Sequence, residues 1–113
     1  MRPPDTGVRT VLITAPDAET GARLARALVE ERLAACVNVV PGVRSIYRYE
    51  GRLHDDPEVL LIAKTRSDRL ERLSARVNAL HPYDLPEVLA LPGVGGSEPY
   101  LEWVRTEAGD EPA

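Results

Sequence analysis

Phenylalanine is absent from the chain, and tryptophan, methionine and cysteine each occur once. Aromatic residues make up only 4% of the 113 positions, which removes the stacking platform that single-strand nucleic-acid binders use. Positive charge is also in deficit: 14 Lys and Arg against 18 Asp and Glu leave a net charge of −4. A binder of phosphate backbones wants a basic patch, so nucleic acid is not an expected partner. Lys64 is the only lysine, and arginine supplies the other cations, which reads as a coding bias of the genome. Long apolar runs are missing too. Stretches such as Val59-Leu60-Leu61-Ile62-Ala63 fall far short of the roughly 18 residues that span a bilayer, so no membrane association is expected. The start, Met1-Arg2-Pro3-Pro4-Asp5, lacks the apolar core of a secretory signal. A single cysteine, Cys36, cannot close an internal disulfide, so the cytoplasm is the expected compartment.

What remains is an ordinary globular composition, 43% apolar and 28% charged, on a length suited to one core. The domain is expected over 8–108, between flexible tails at 1–7 and 109–113. Val8 to Ala15 reads as a strand, ended by Pro16, with Asp17 as N-cap of a helix from Ala18 to about Leu33. That helix carries Ala22, Ala25, Leu28 and Val29 at helical spacing. Ala34 to Glu50 is β-rich, and Pro41-Gly42 inside it predicts a bulge or bend. Gly51-Arg52 turns the chain into a strand over about Leu53 to Thr65, completing a long hairpin. Ser67 or Asp68 is expected to cap a second helix with Leu70, Leu73, Val77 and Leu80 on its apolar stripe. A short strand over Glu87 to Leu91 and a helix from Glu98 to about Thr106, capped by Ser97, close the order. The sum is an α+β, ferredoxin-like βαββαβ chain with an extended hairpin and a C-terminal helix.

Two helices cover only one face of such a sheet, yet the strands are apolar on both. In the hairpin's second strand, Val59, Leu61 and Ala63 alternate with Leu60, Ile62 and Lys64. Several apolar side chains left together in water mark an interface. A homo-oligomer packed through the helix-free face is the first expectation. The alternative is that the last helix, with Trp103, folds over that face.

The most informative segment is Leu80-His81-Pro82-Tyr83-Asp84-Leu85-Pro86-Glu87. Each proline holds its predecessor out of helical geometry, giving a stiff connection that fixes an imidazole, a phenol and two carboxylates. These are metal-ligand and acid–base groups, although on chemistry alone a rigid helix-to-strand connector with a capping histidine is the first reading. Cys36 offers a soft thiolate for copper or zinc, or simply a small buried hydrophobe. His54 reads as part of a solvated turn, and Lys64 as half of an ion pair or a cleft cation. No GxGxxG, P-loop, GxSxG or HExxH occurs, so no enzyme is expected. Val40 to Ser45 faintly suggests a phosphate loop, but it falls within a strand run and not between strand and helix.

Taken in order, Leu12-Ile13-Thr14-Ala15-Pro16, Leu33-Ala34-Ala35-Cys36-Val37-Asn38, Ile46-Tyr47-Arg48-Tyr49-Glu50-Gly51, Lys64-Thr65, His81-Pro82-Tyr83, Leu85-Pro86-Glu87 and Tyr100-Leu101-Glu102-Trp103 resemble the CutA family of divalent-cation tolerance proteins. The resemblance runs over about residues 8 to 106. It implies a cytoplasmic, non-enzymatic homotrimer similar to the PII signal proteins, involved in the response to metal ions. It also implies a bound divalent metal, copper first and zinc second. His81 matches the histidine of the family's HPY motif and is the leading metal ligand, with Cys36 second. Members with a proposed copper site can carry a histidine where this chain has Leu80 and a cysteine where it has Ile13. Tyr49 stands where a tryptophan is common. The family's layout further implies an inter-subunit cleft with Lys64, Tyr83, Glu87, Glu50 and Trp103. In the alternative PII-like reading, that cleft would bind a small anionic metabolite.

Overall fold

A computed structural model describes residues 4–110. The chain runs β1 (Val8–Ala15), α1 (Ala18–Glu30), β2 (Cys36–Tyr49), β3 (Arg52–Arg66), a 3-10 turn (Ser67–Arg69), α2 (Leu70–Leu80), β4 (Leu89–Pro92) and α3 (Glu98–Glu107). The strands form one antiparallel sheet in the order β2-β3-β1-β4. Split βαβ topology demands this order, because each helix crossover places its strand beside the central pair.

Asp17 caps α1 as its chemistry predicts: its carboxylate accepts the Thr20 N–H at 2.7 Å. That contact holds the Asp17 carboxyl below the ordinary carboxylate range. The helix ends at Glu30, before the expected Leu33, because Arg32 turns into left-handed backbone at φ 58°. The buried stripe is Thr20, Gly21, Leu24, Ala25 and Leu28, whereas Ala22 and Val29 face solvent. Gly21 belongs to that stripe because α1 lies close on β3. A Cβ there would stand 2.9 Å from Val59 Cγ2 and 3.3 Å from Leu61 Cδ2. Gly21→Val is therefore expected to push the helix off the sheet and cost about 1–3 kcal/mol, read as a lower urea midpoint. An unchanged midpoint would refute that packing argument.

The core sits between the two helices and one face of the sheet. Val11, Ile13, Leu28, Leu61, Ala63, Leu73 and Val77 are fully buried there. The second helix starts differently from expectation. Ser67 and Asp68 lie in the 3-10 turn and cap nothing, since Asp68 pairs instead with Arg66, and α2 starts at Leu70 without a side-chain cap. Leu80, expected on the apolar stripe, is exposed. The expected irregularity at Pro41-Gly42 is present as a register shift between Val40 and Val43, with Gly42 at φ 78°.

The sheet's other face carries Leu12, Leu60 and Ile62 half-buried, with Val40, Leu89 and Leu91 more open. Helix α3 covers only its far end, where Leu101, Val104 and Ala108 pack on Val8 and Ala35. Trp103 does not join that contact; it is exposed beside Tyr100. The last helix thus takes one end of the face and leaves most of it bare. Ser97 makes no side-chain cap, and arginines hold the other end of α3. Arg32 donates to the Gly109 and Thr106 carbonyls, Arg66 to that of Arg105, and Arg69 to that of Ala108. At the N-terminal side, within the described residues, Thr6 Oγ1 donates to the Gly93 carbonyl at 2.8 Å and the Ser67 N–H donates to the Gly7 carbonyl.

Candidate functional site

Strand alternation places Ser45, Tyr47 and Tyr49 of β2 on the same face as Asp56 and Glu58 of β3. This is the helix-free face, at the end away from α3. The connection after α2 then folds back over it. Together they enclose an open cleft of about 680 Å³, with Thr14, Glu58, Tyr83, Asp84 and Glu87 on one side and residues 45–49 of β2, among them Tyr47, Arg48 and Tyr49, on the other.

His81 sets the position of the connection. Its Nε2 lies 2.7 Å from the Thr14 carbonyl, and its Nδ1 accepts the Tyr83 N–H at 3.1 Å. β4 pairs with β1 only from Arg9 to Leu12, so Thr14 lies beyond its reach. The imidazole satisfies a carbonyl that no strand covers. Both ring nitrogens are engaged within the chain, and the residue is 7% exposed. Its ring also leans on that of Tyr83, with centroids 4.7 Å apart.

Tyr83 donates its phenol proton to Glu58 Oε2 at 2.8 Å. Burial and that hydrogen bond push the Tyr83 phenol above its ordinary value, so it stays a donor to Glu58. Tyr47 does the same toward Asp56 at 2.6 Å, and its phenol is pushed up to about 12. Tyr47 further stacks on His54, the ring planes 7° apart at 4.9 Å. Glu58 is itself 7% exposed, and Glu87 lies near enough that the two repel. Desolvation and the Glu58 charge raise the Glu87 carboxyl above its ordinary value. Among the described residues neither makes an ion pair.

The structure brings some of the expected site residues together and separates others. Tyr83 and Glu87 share the cleft, with His81 behind them as a support. Glu50 lies at the hairpin tip in left-handed backbone at φ 51°. Lys64 is in mid-strand on the helix-free face, in contact with Asn38 and opposite Cys36. Cys36 aligns through Lys64 with Thr10, four strand residues from Thr14, or about 14 Å. Cys36 and His81 therefore belong to opposite ends of one subunit's sheet. Trp103 is on α3, also at the far end. Glu58, Asp56 and Tyr47 were missed by sequence reasoning. The available signal was the alternation of polar residues with the hairpin's apolar ones, but the bulge at Pro41-Gly42 hides which of them share a face.

A four-stranded antiparallel sheet with helices on one face, a projecting hairpin and an acidic tyrosine cleft defines a ferredoxin-like α+β protein. Residues 9–107 match the family model described as CutA1 divalent ion tolerance protein. The divalent-cation tolerance protein CutA of Thermus thermophilus is 52% identical over 88% of this chain and 96% of its own length. The solved structure of the divalent cation tolerance protein from Thermus thermophilus superposes with a TM-score of 0.88 at 51% identity, covering 90% of this chain and 99% of that one. CutA1 from Oryza sativa superposes equally, at 47% identity, over 92% of this chain and 95% of its own. The chain belongs to the CutA1 family of divalent ion tolerance proteins. It spans about half the length of the chloroplastic CutA of Arabidopsis thaliana, to which it is 55% identical over 84% of its residues. Relatives are named as chloroplastic or, in Archaeoglobus fulgidus, periplasmic. Among the described residues no helix is long and apolar enough to cross a membrane.

Proposed function

We propose that this chain is a non-enzymatic, cytoplasmic homotrimer that binds a divalent cation in the response to metal ions. The observation that carries the reading is the Glu58–Glu87 pair: two mutually repelling carboxylates face one cleft, and neither makes an ion pair among the described residues. A divalent cation relieves that repulsion. Two carboxylates form part of a coordination shell, which water or a neighbouring subunit would complete. At a given oxygen and nitrogen donor set, divalent affinity rises along the first row to a peak at copper and drops again at zinc, so copper is the first candidate, with zinc, which the same donors also accept, the second. The trimer rests on the bare apolar face. Leu12, Leu60, Ile62, Leu89 and Leu91 are only partly covered in the single chain, and completing their burial would gain each a fraction of the about 1.5–3 kcal/mol that a fully exposed side chain gains. His81 and Cys36 stand outside the carboxylate pair. Ligation by His81 requires turning its ring from Thr14, and ligation by Cys36 requires groups from another subunit.

A small anionic metabolite fits this cleft less well. Arg48 borders the cleft from β2, on a strand position that alternates away from Tyr47 and Tyr49, and the three carboxylates of Glu58, Asp84 and Glu87 outnumber its single positive charge. Calorimetric titration with Cu(II) and then Zn(II) tests the metal reading. Binding heat is expected for the wild type, with affinity at least about tenfold weaker in Glu58→Gln and Glu87→Gln. Glu58→Gln keeps an acceptor for Tyr83, so its loss would report charge and not collapse. Equal affinity in both variants would sink the assignment.

A further inference from the structure

We infer that the cleft between β2 and the connection after α2 also receives an organic cation, a protonated amine on a small apolar body. This rests on the reading of the cleft as a cation receptor and extends it to a different ligand class. Size is the first argument. A volume of about 680 Å³ is far larger than a metal ion occupies, and it lies in the range of small-molecule sites. Among the described residues no three His, Cys, Asp or Glu side chains converge closely enough to hold a metal ion by themselves.

The second argument is the direction of the hydrogen bonds. The phenols of Tyr47 and Tyr83 could have served as donors to a ligand, but both give their protons to carboxylates of the protein, Asp56 and Glu58. What they leave facing the cleft is oxygen lone pairs and ring surface. Glu87 and Asp84 add further acceptors. Arg48 is the one cation in the lining, against the carboxylates of Glu58, Asp84 and Glu87, so acceptors with aromatic faces predominate and suit a positively charged donor that has hydrocarbon attached. The ammonium meets carboxylate and ring quadrupole, and its apolar body meets Tyr49 and Leu85. A bare ion uses only the first of these. The rings are also held in place, Tyr47 by its stack on His54 and Tyr83 by His81, so little ordering is required on binding.

The third argument is that this end of the helix-free face is polar where its middle, around Leu12, Leu60 and Ile62, is apolar. Leu12, Leu60, Ile62 and Leu91 suit contact with other copies, whereas buried carboxylates in such a contact would be costly. The cleft is the part of the face that gains by staying open to small ligands.

Calorimetry of the assembled protein with benzylammonium chloride tests this, with benzyl alcohol as the neutral control and Zn(II) in a separate titration. Benzylammonium is expected to bind and to weaken at least about tenfold in Glu87→Gln, while benzyl alcohol gives no comparable heat. Glu87 is exposed and free of hydrogen bonds among the described residues, so its variant should fold. Zinc binding without benzylammonium binding would overturn the inference and leave the metal reading standing. Benzylammonium binding without zinc binding would do the reverse. Equal affinity for benzyl alcohol would overturn the inference as well, since the site would then be merely apolar.

Discussion

Leu12→Asp is expected to convert the proposed trimer into folded single chains of 12.4 kDa. Leu12 is on the central strand β1, with Ile62 across from it on β3 and Leu89 across from it on β4. All three point to the helix-free face. A carboxylate in the middle of that patch removes the apolar contribution of one leucine from every subunit. It also adds a charge whose desolvation costs several kcal/mol in a closed interface. The effect repeats in each copy of a symmetric assembly, so association should fall by orders of magnitude. The fold itself should survive, because its core lies on the other face, where Val11, Ile13, Leu61 and Ala63 are fully buried. Sedimentation velocity reads the mass and circular dichroism reads the fold. A mass that stays at three chains, with an unchanged melting curve, would show that this face is not the interface.

The same face shows why some of the protein was legible in the sequence and some was not. Strand periods of two made the double apolar character of β3 visible directly, and Leu60 and Ile62 stand half-buried on the helix-free face as that pattern requires. The hairpin, the order of elements and the Asp17 cap followed from equally local chemistry. Helix stripes were read less well. Leu24 and Gly21 are buried, while Val29 and Leu80 are exposed, because helical spacing fixes relative angles but not which arc meets the sheet. Gly21 in particular carries no hydrophobic signal. Its role follows only from the close approach of Val59.

The candidate site divides along similar lines. His81, Tyr83 and Glu87 are neighbours in the chain, and the prolines between and around them marked the segment as rigid and special. Glu58, Tyr47 and Asp56 are brought to that segment by the fold alone. Their register depends on the shift between Val40 and Val43, which reassigns the faces of the outer hairpin. Lys64 and Trp103 were joined to the cleft by the family's layout and lie far from it within one subunit. Local chemistry thus identified the connection, whereas its opposite wall required the sheet.

His81→Ala is expected to destabilise the fold by about 2–4 kcal/mol and to loosen the cleft wall. The histidine is nine-tenths buried, and alanine cannot replace its ring contacts. Its backbone N–H closes α2 on the Val77 carbonyl at 2.8 Å, which the variant keeps. Its Nε2 contact satisfies Thr14, whose carbonyl would be left unpaired at a cost of about 1–3 kcal/mol. Its Nδ1 holds the Tyr83 N–H, and its ring fills space beside the Tyr83 ring, so a cavity term is added. Tyr83 would lose its orientation toward Glu58, and the connection from Pro82 to Glu87 should exchange its amide hydrogens faster. His81→Gln separates the support role from a ligand role. A glutamine amide can still donate to Thr14 but is a poor replacement for imidazole on copper or zinc. Support predicts that Gln restores part of the urea midpoint and leaves metal affinity near the wild-type value. Loss of metal binding in His81→Gln, with stability retained, would move the metal from the carboxylate pair onto the imidazole.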